Sequence, residues 1–196
     1  MGTLWHQAQM VRYSAVSETV SSLSALSVPN RESMTAITIL GALGLISIAV
    51  TLNHCGFTGR IFLAIAGIGM LGVALFPVPG INANSAPHTF FAAVFLIAMC
   101  LWPAAAHFGR DSHLWALTIR QTLKSVIPMA LLGICFWFNW LVSTPIMGLV
   151  ERIFLFSQFG FLTTLIWRSR VILAKLGCQQ KCAISTQTQE KIGASV

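Results

Sequence analysis

Residues 34–52 read MTAITILGALGLISIAVTL, a run with no Asp, Glu, Lys or Arg in it. Outward from it, residues 61–76, 89–106 and 126–143 are equally free of formal charge. A fifth run, GLVERIFLFSQFGFLTTLIW at 148–167, carries only the adjacent pair Glu151 and Arg152, close to one end. At 1.5 Å per residue, helices of roughly 16 to 20 residues reach about 24 to 30 Å, the thickness of a hydrocarbon core. In lipid each backbone group must be satisfied within its own segment or within a closed barrel. These runs are continuous rather than alternating, which excludes barrel strands. The sequence therefore predicts an all-α membrane protein, a bundle of five transmembrane helices with a short amphipathic outer segment.

Composition agrees. Apolar residues make up 56% of the chain and charged ones 9%, with a mean hydropathy of +0.77. A soluble domain carries about 25% charged residues. Three regions follow: an outer polar segment at 1–33, the five-helix bundle at 34–167, and a basic cytoplasmic tail at 168–196.

The net charge of +7 suggests nucleic acid only until the positions are mapped. Arg60, Arg110, Arg120, Lys124, Arg168, Arg170, Lys175, Lys181 and Lys191 all fall on one side of a five-helix topology. Arg12, Arg31 and Arg152 fall on the other. The excess of Lys and Arg on the cytoplasmic side sets orientation. A multi-pass protein of the plasma membrane is expected, N-terminus outside and C-terminus in the cytoplasm, with no nucleic-acid partner. Attraction of the tail to anionic lipids explains its charge. Residues 1–33 contain no signal peptide, so an outside N-terminus favours a chain that lacks a helix ahead of Met1.

Several short patterns have plain readings. Gly67-Ile68-Gly69-Met70-Leu71-Gly72 spells the dinucleotide fingerprint, but that mechanism needs a strand before it and a helix start within it. Inside an apolar span, small residues let helices approach closely, and packing is the expected role. Cys55, Cys100, Cys135, Cys178 and Cys182 suggest no disulfide, and His54 and His107 read as interface residues rather than haem ligands. Trp102, Trp137, Trp140 and Trp167 read as interfacial anchors, and Gln158 as a mid-span bond to a neighbouring helix. Val16, Val20, Leu23 and Leu26 recur at helical spacing between Ser14 and Pro29, predicting an amphipathic helix. The tail after Trp167 is expected to be helical only at its start.

Orienting the spans gathers a polar cluster at the outer face. Glu18, His88, Glu151 and Arg152 converge there from three distant segments, with Asn82, Asn84 and Asn139 at the same level. Such groups face a bundle interior, pair, or line a wet cavity. Neighbours on a helix point about 100° apart, so Glu151 and Arg152 need different partners. The expected pairs are Arg152 with Glu18, and Glu151 with His88 or a backbone amide. Two carboxylates and one His, without H-x-x-x-H or H-x-x-E spacing, make a thin metal set, and neither metal nor cofactor is expected.

The stretch Ser17-Glu18-Thr19-Val20-Ser21-Ser22-Leu23-Ser24-Ala25 resembles the outer-loop signature of a prokaryotic membrane family catalogued as domain of unknown function 998. Further matches are Phe76-Pro77, His88, Leu101-Trp102-Pro103 and Gly148-Leu149-Val150-Glu151-Arg152, in order across residues 10–170. The resemblance implies six helices with both termini inside, so this chain departs by the first helix. It also implies that Glu18, His88, Glu151 and Arg152 are the family-motif positions. No activity comes with it.

The functional expectation is a non-enzymatic protein that binds a lipid or a partner protein at an outward-facing polar pocket. Its partners would be membrane lipids, a second copy, or another membrane protein. One alternative is a membrane-embedded hydrolase or transferase using a Glu/His pair, with Ser17, Ser21 or Ser85 as the hydroxyl. The other is a small transporter subunit, for which no inverted repeat is evident.

Overall fold

The computed structural model describes residues 13–29, 31–52, 56–81, 83–108 and 119–193. His54, Cys55 and Asn82 lie outside the described residues, as do the side chains of His107, Cys178 and Cys182. A cap segment containing a short 3-10 helix, Val20–Ser24, leads into five α-helices. They are α1 (Arg31–Thr51), α2 (Phe57–Leu75), α3 (Ala86–Phe108), α4 (Ile119–Val142) and α5 (Met147–Gly193). Among the described residues there is no strand. Five stretches are long and apolar enough to cross a membrane: Arg31–Thr51, Phe57–Leu75, Ala86–Ala106, Thr122–Val142 and Met147–Arg168. The chain is an all-α, multi-pass membrane protein.

The helices run up and down, each packed mainly on its sequence neighbours, and the 3-10 helix touches α1 and α5. Each span sorts its residues by face. On α1, Thr38, Ala42, Leu45 and Ala49 are buried, while Ile37, Leu40, Leu43 and Val50 are exposed. On α4, Ile127, Leu131, Ile134, Phe138 and Leu141 form an exposed stripe at alternating spacings of four and three. In water such a surface would aggregate; against acyl chains it is solvated.

Glycines set the closest approaches. A Cβ on Gly67 would lie 3.0 Å from the Ala42 carbonyl of α1. A Cβ on Gly69 would lie 2.7 Å from the Phe95 nitrogen of α3, and one on Gly72 would enter the Phe91 ring. The fingerprint-like spelling is thus a two-sided packing surface that holds α2 against both neighbours. Trp102, Phe154, Leu63 and Met99 fill the core, with the Phe136 and Phe154 rings stacked 6.1 Å apart. Gln158 donates to the Cys100 sulfur of α3 at 3.3 Å. At the far end, Arg60 of α2 donates to the last carbonyls of α1, Ala49 at 2.7 Å and Val50 at 3.0 Å. These carbonyls have no partner within their own helix.

Three local expectations differ from the structure. Trp102, expected as an interfacial anchor, is fully buried in the core. The polar tail continues α5 unbroken to Gly193, about 70 Å of helix in all. No proline follows Pro145, and the tail is rich in Ala, Gln and Lys, all good helix formers. The cap forms one turn of 3-10 helix instead of an amphipathic α-helix over residues 16–26.

The α4–α5 turn holds the only non-glycine residue at positive φ among the described residues, Ser143 at 53°. Asn139 secures this turn, donating to the Cys135 carbonyl at 2.7 Å and accepting from the Thr144 hydroxyl. A left-handed residue with a Cβ costs about 1 kcal/mol. Ser143→Gly should therefore raise the melting temperature by about 2–4 °C, read by thermal unfolding of the purified protein. A lower melting temperature would mean that the hydroxyl, rather than the backbone, matters at this turn.

Candidate functional site

The cap is built from hydroxyls that bond to their own backbone. Thr19 Oγ1 accepts from the Ser22 amide at 3.3 Å and lies 2.9 and 2.8 Å from the Ser21 and Ser22 hydroxyls. Ser24 donates to the Ser21 carbonyl at 2.8 Å. Local bonds of this kind compete with helix formation, which explains the single tight turn. They also invert the expected amphipathicity: Ser22, Ser24 and Ala25 are buried, while Val16 and Leu26 are about half exposed, at 48% and 53%. Two further bonds tie the cap to the α2–α3 loop, Ser22 to the Ile81 carbonyl at 3.2 Å and the Leu26 amide to the Val78 carbonyl at 3.0 Å.

The first turn of α5 grips the other side of the cap. Arg152 Nη1 donates to the main-chain carbonyls of Ala15 at 2.7 Å and Glu18 at 2.9 Å, and to Gly148 at 2.8 Å in its own helix. Its Nη2 donates to the Tyr13 hydroxyl, and the guanidinium carbon lies 5.8 Å from the centre of the Tyr13 ring. Glu151 accepts the Val20 amide at 2.6 Å, satisfying the first N–H of the 3-10 helix. The adjacent Leu149 amide donates to the Val16 carbonyl at 2.9 Å. Neighbouring residues of opposite charge thus divide the cap backbone, the cation taking carbonyls and the carboxylate an amide. Burial pushes the Tyr13 phenol above its ordinary value, against the pull of Arg152, so the hydroxyl stays protonated at neutral pH.

The expected Arg152–Glu18 ion pair is replaced by a bond to the Glu18 carbonyl. Oε2 of the Glu18 carboxylate is buried without a hydrogen-bond partner. Glu151 takes the backbone amide rather than His88. His88, in the first turn of α3 and 5% exposed, sets Nδ1 2.9 Å from the Phe76 carbonyl at the end of α2. A carbonyl only accepts, so Nδ1 carries the proton in this bond. Asn84 is exposed in the α2–α3 loop.

Beneath the cap lies a cavity of about 770 Å³, bordered by Glu18, Asn84, His88 and Glu151. Its upper wall also holds Thr19, Ser21, Ser22, Ser24 and Thr144. Its floor is apolar: Phe95 and Leu96 of α3, Phe136 of α4, Leu155 and Phe159 of α5. From His88 to Leu96, or from Glu151 to Phe159, the wall descends eight helical residues, about 12 Å. Trp137 and Trp140, packed edge to face at 5.5 Å, line the same space. Among the described residues no Lys or Arg lines it, and no group of three His, Cys, Asp or Glu is placed to share a metal ion.

Sequence reasoning missed Tyr13, whose role needs the fold of the cap, and Gly148. A Cβ at Gly148 would overlap the Glu18 carbonyl oxygen and lie 2.7 Å from its carbon. The signal for Gly148 was its place one turn before Arg152, where the cap backbone has to come close.

No curated protein and no solved structure matches the chain. A family model does, over residues 1–168, which takes in the cap, all five spans and each of the four charged or titratable residues gathered at the site. The chain belongs to the family described as protein of unknown function DUF998.

Proposed function

We propose that this protein binds an amphiphilic membrane lipid in the capped cavity and catalyses no reaction on it. The observation that carries this reading is the division of one cavity into a hydrogen-bonding upper wall and an aromatic and aliphatic floor about 12 Å deeper. That profile suits a polar head with the first part of an acyl chain below it. The exposed apolar stripes of the spans support a lipid surrounding. The charge map supports an outward-facing capped end, because nine of the twelve Lys and Arg residues lie at or beyond the opposite ends of the spans.

Binding is favoured over hydrolysis because four cap hydroxyls, those of Thr19, Ser21, Ser22 and Ser24, are already engaged. Ser22 and Ser24 donate to carbonyls, Ser21 is paired with Thr19, and the bond made by His88 is to a carbonyl. A nucleophile and base would be hydrogen-bonded to each other.

Ala92 lines the cavity from α3. Native mass spectrometry of the full chain released from its membrane should show a lipid bound at one per chain. Ala92→Trp, which fills the cavity, should lower that occupancy about ten-fold while the protein stays folded. Equal lipid retention in both proteins would overturn the proposal.

A further inference from the structure

The cavity also specifies the charge of what it holds. Two carboxylates border it, Glu18 and Glu151, and among the described residues no cationic side chain lines it. The nearest cation, Arg152, is committed to three carbonyls and the Tyr13 hydroxyl on the α5 side of the cap. Glu151 spends one oxygen on the Val20 amide. Glu18 is different: its Oε2 is buried and has no donor at all.

A carboxylate oxygen held out of water without a donor is disfavoured unless a donor or a positive group meets it. An anionic head would meet the Glu18 side chain and, among the described residues, no free counter-charge. A single ammonium would meet Glu18, with the rings of Trp137 and Trp140 in the same wall.

Resting on the lipid-pocket reading above, we infer that the occupant is a cationic amphiphile, an ammonium head paired with Glu18 above an alkyl chain on the phenylalanine floor. Hydroxyls of the cap accept from a protonated amine or stand clear of a quaternary one, so the inference fixes the charge and not the degree of substitution.

The test uses the full chain in a non-ionic detergent with three probes of one chain length: tetradecyltrimethylammonium, myristate and tetradecanol. Binding is read by native mass spectrometry and by quenching of tryptophan emission. The wild type should prefer the ammonium over myristate by about ten-fold or more, the scale of one charge contact. Glu18→Gln keeps the shape and the main-chain carbonyl that Arg152 holds, and should lose that preference while binding tetradecanol as before. Tetramethylammonium, which has no tail, should compete poorly.

Myristate binding as tightly as the ammonium in the wild type would overturn the inference. So would a Glu18→Gln protein that keeps the preference. If all three probes bind equally and Ala92→Trp blocks them, the pocket stands and the ammonium falls. If none binds, both fall. Should Glu18→Gln not fold, the preference of the wild type alone decides.

Discussion

Arg152→Ala should release the cap and lower the melting temperature by about 6–12 °C. The guanidinium joins α5 to Ala15, Glu18 and Tyr13, three points on a segment with few other anchors on that side. Hydrogen bonds to a charged group contribute about 1.5–3 kcal/mol each when buried. Arg152 is only partly buried, so the whole set is discounted to about 3 kcal/mol, which sets the expected shift for a chain of this size. Arg152→Lys should recover less than half of it, because an ammonium lacks the planar fork that reaches carbonyls on two sides. Released, the cap should become cleavable by chymotrypsin at Tyr13, Leu23 or Leu26, and bound lipid should be lost with it. An Arg152→Ala protein with unchanged melting and no new cleavage would show that the remaining bonds, to Leu149, Glu151 and the α2–α3 loop, are enough to hold the cap.

The spans were legible because lipid imposes a simple rule: a segment in hydrocarbon carries no unpaired charge, and the runs at 34–52, 61–76, 89–106 and 126–143 obey it. The packing role of Gly67, Gly69 and Gly72 was legible for the same reason, since a phosphate-binding turn cannot sit inside such a run. The polar residues were legible as a group, because topology alone brings Glu18, His88 and Glu151 to one end, where all three border one cavity. Their partners were not. Arg152 bonds to carbonyls, and every residue has one, so no side-chain pattern marks Ala15 or Glu18 as acceptors. The cap was misread because apolar spacing at 16, 20, 23 and 26 was weighed without the serines between them. Thr19 and Ser24 satisfy the backbone locally while Ser22 and Ser24 turn inward, leaving Val16 and Leu26 on the surface. The helical tail was misread for the opposite reason, a polar composition taken as a stop where no proline stands.

Gly148→Ala gives a sign test of the same cap. In a helix free of neighbours, alanine is more stable than glycine by about 1 kcal/mol. At Gly148 the added methyl would overlap the Glu18 carbonyl oxygen, a main-chain atom that cannot rotate away. The cap would have to lift at Glu18, straining the Leu149–Val16 and Glu151–Val20 bonds on either side. Overpacking of this kind costs about 1–3 kcal/mol. The expected outcome is a melting temperature lower by about 3–8 °C, against a small rise if the cap were not seated there. The two substitutions act on one contact, so they should not add. In an Arg152→Ala background the cap is already loose, and Gly148→Ala should then cost almost nothing or recover the intrinsic preference of the helix for alanine. Full additivity would mean that Gly148 and Arg152 hold different things, and that α5 does not grip the cap as one unit.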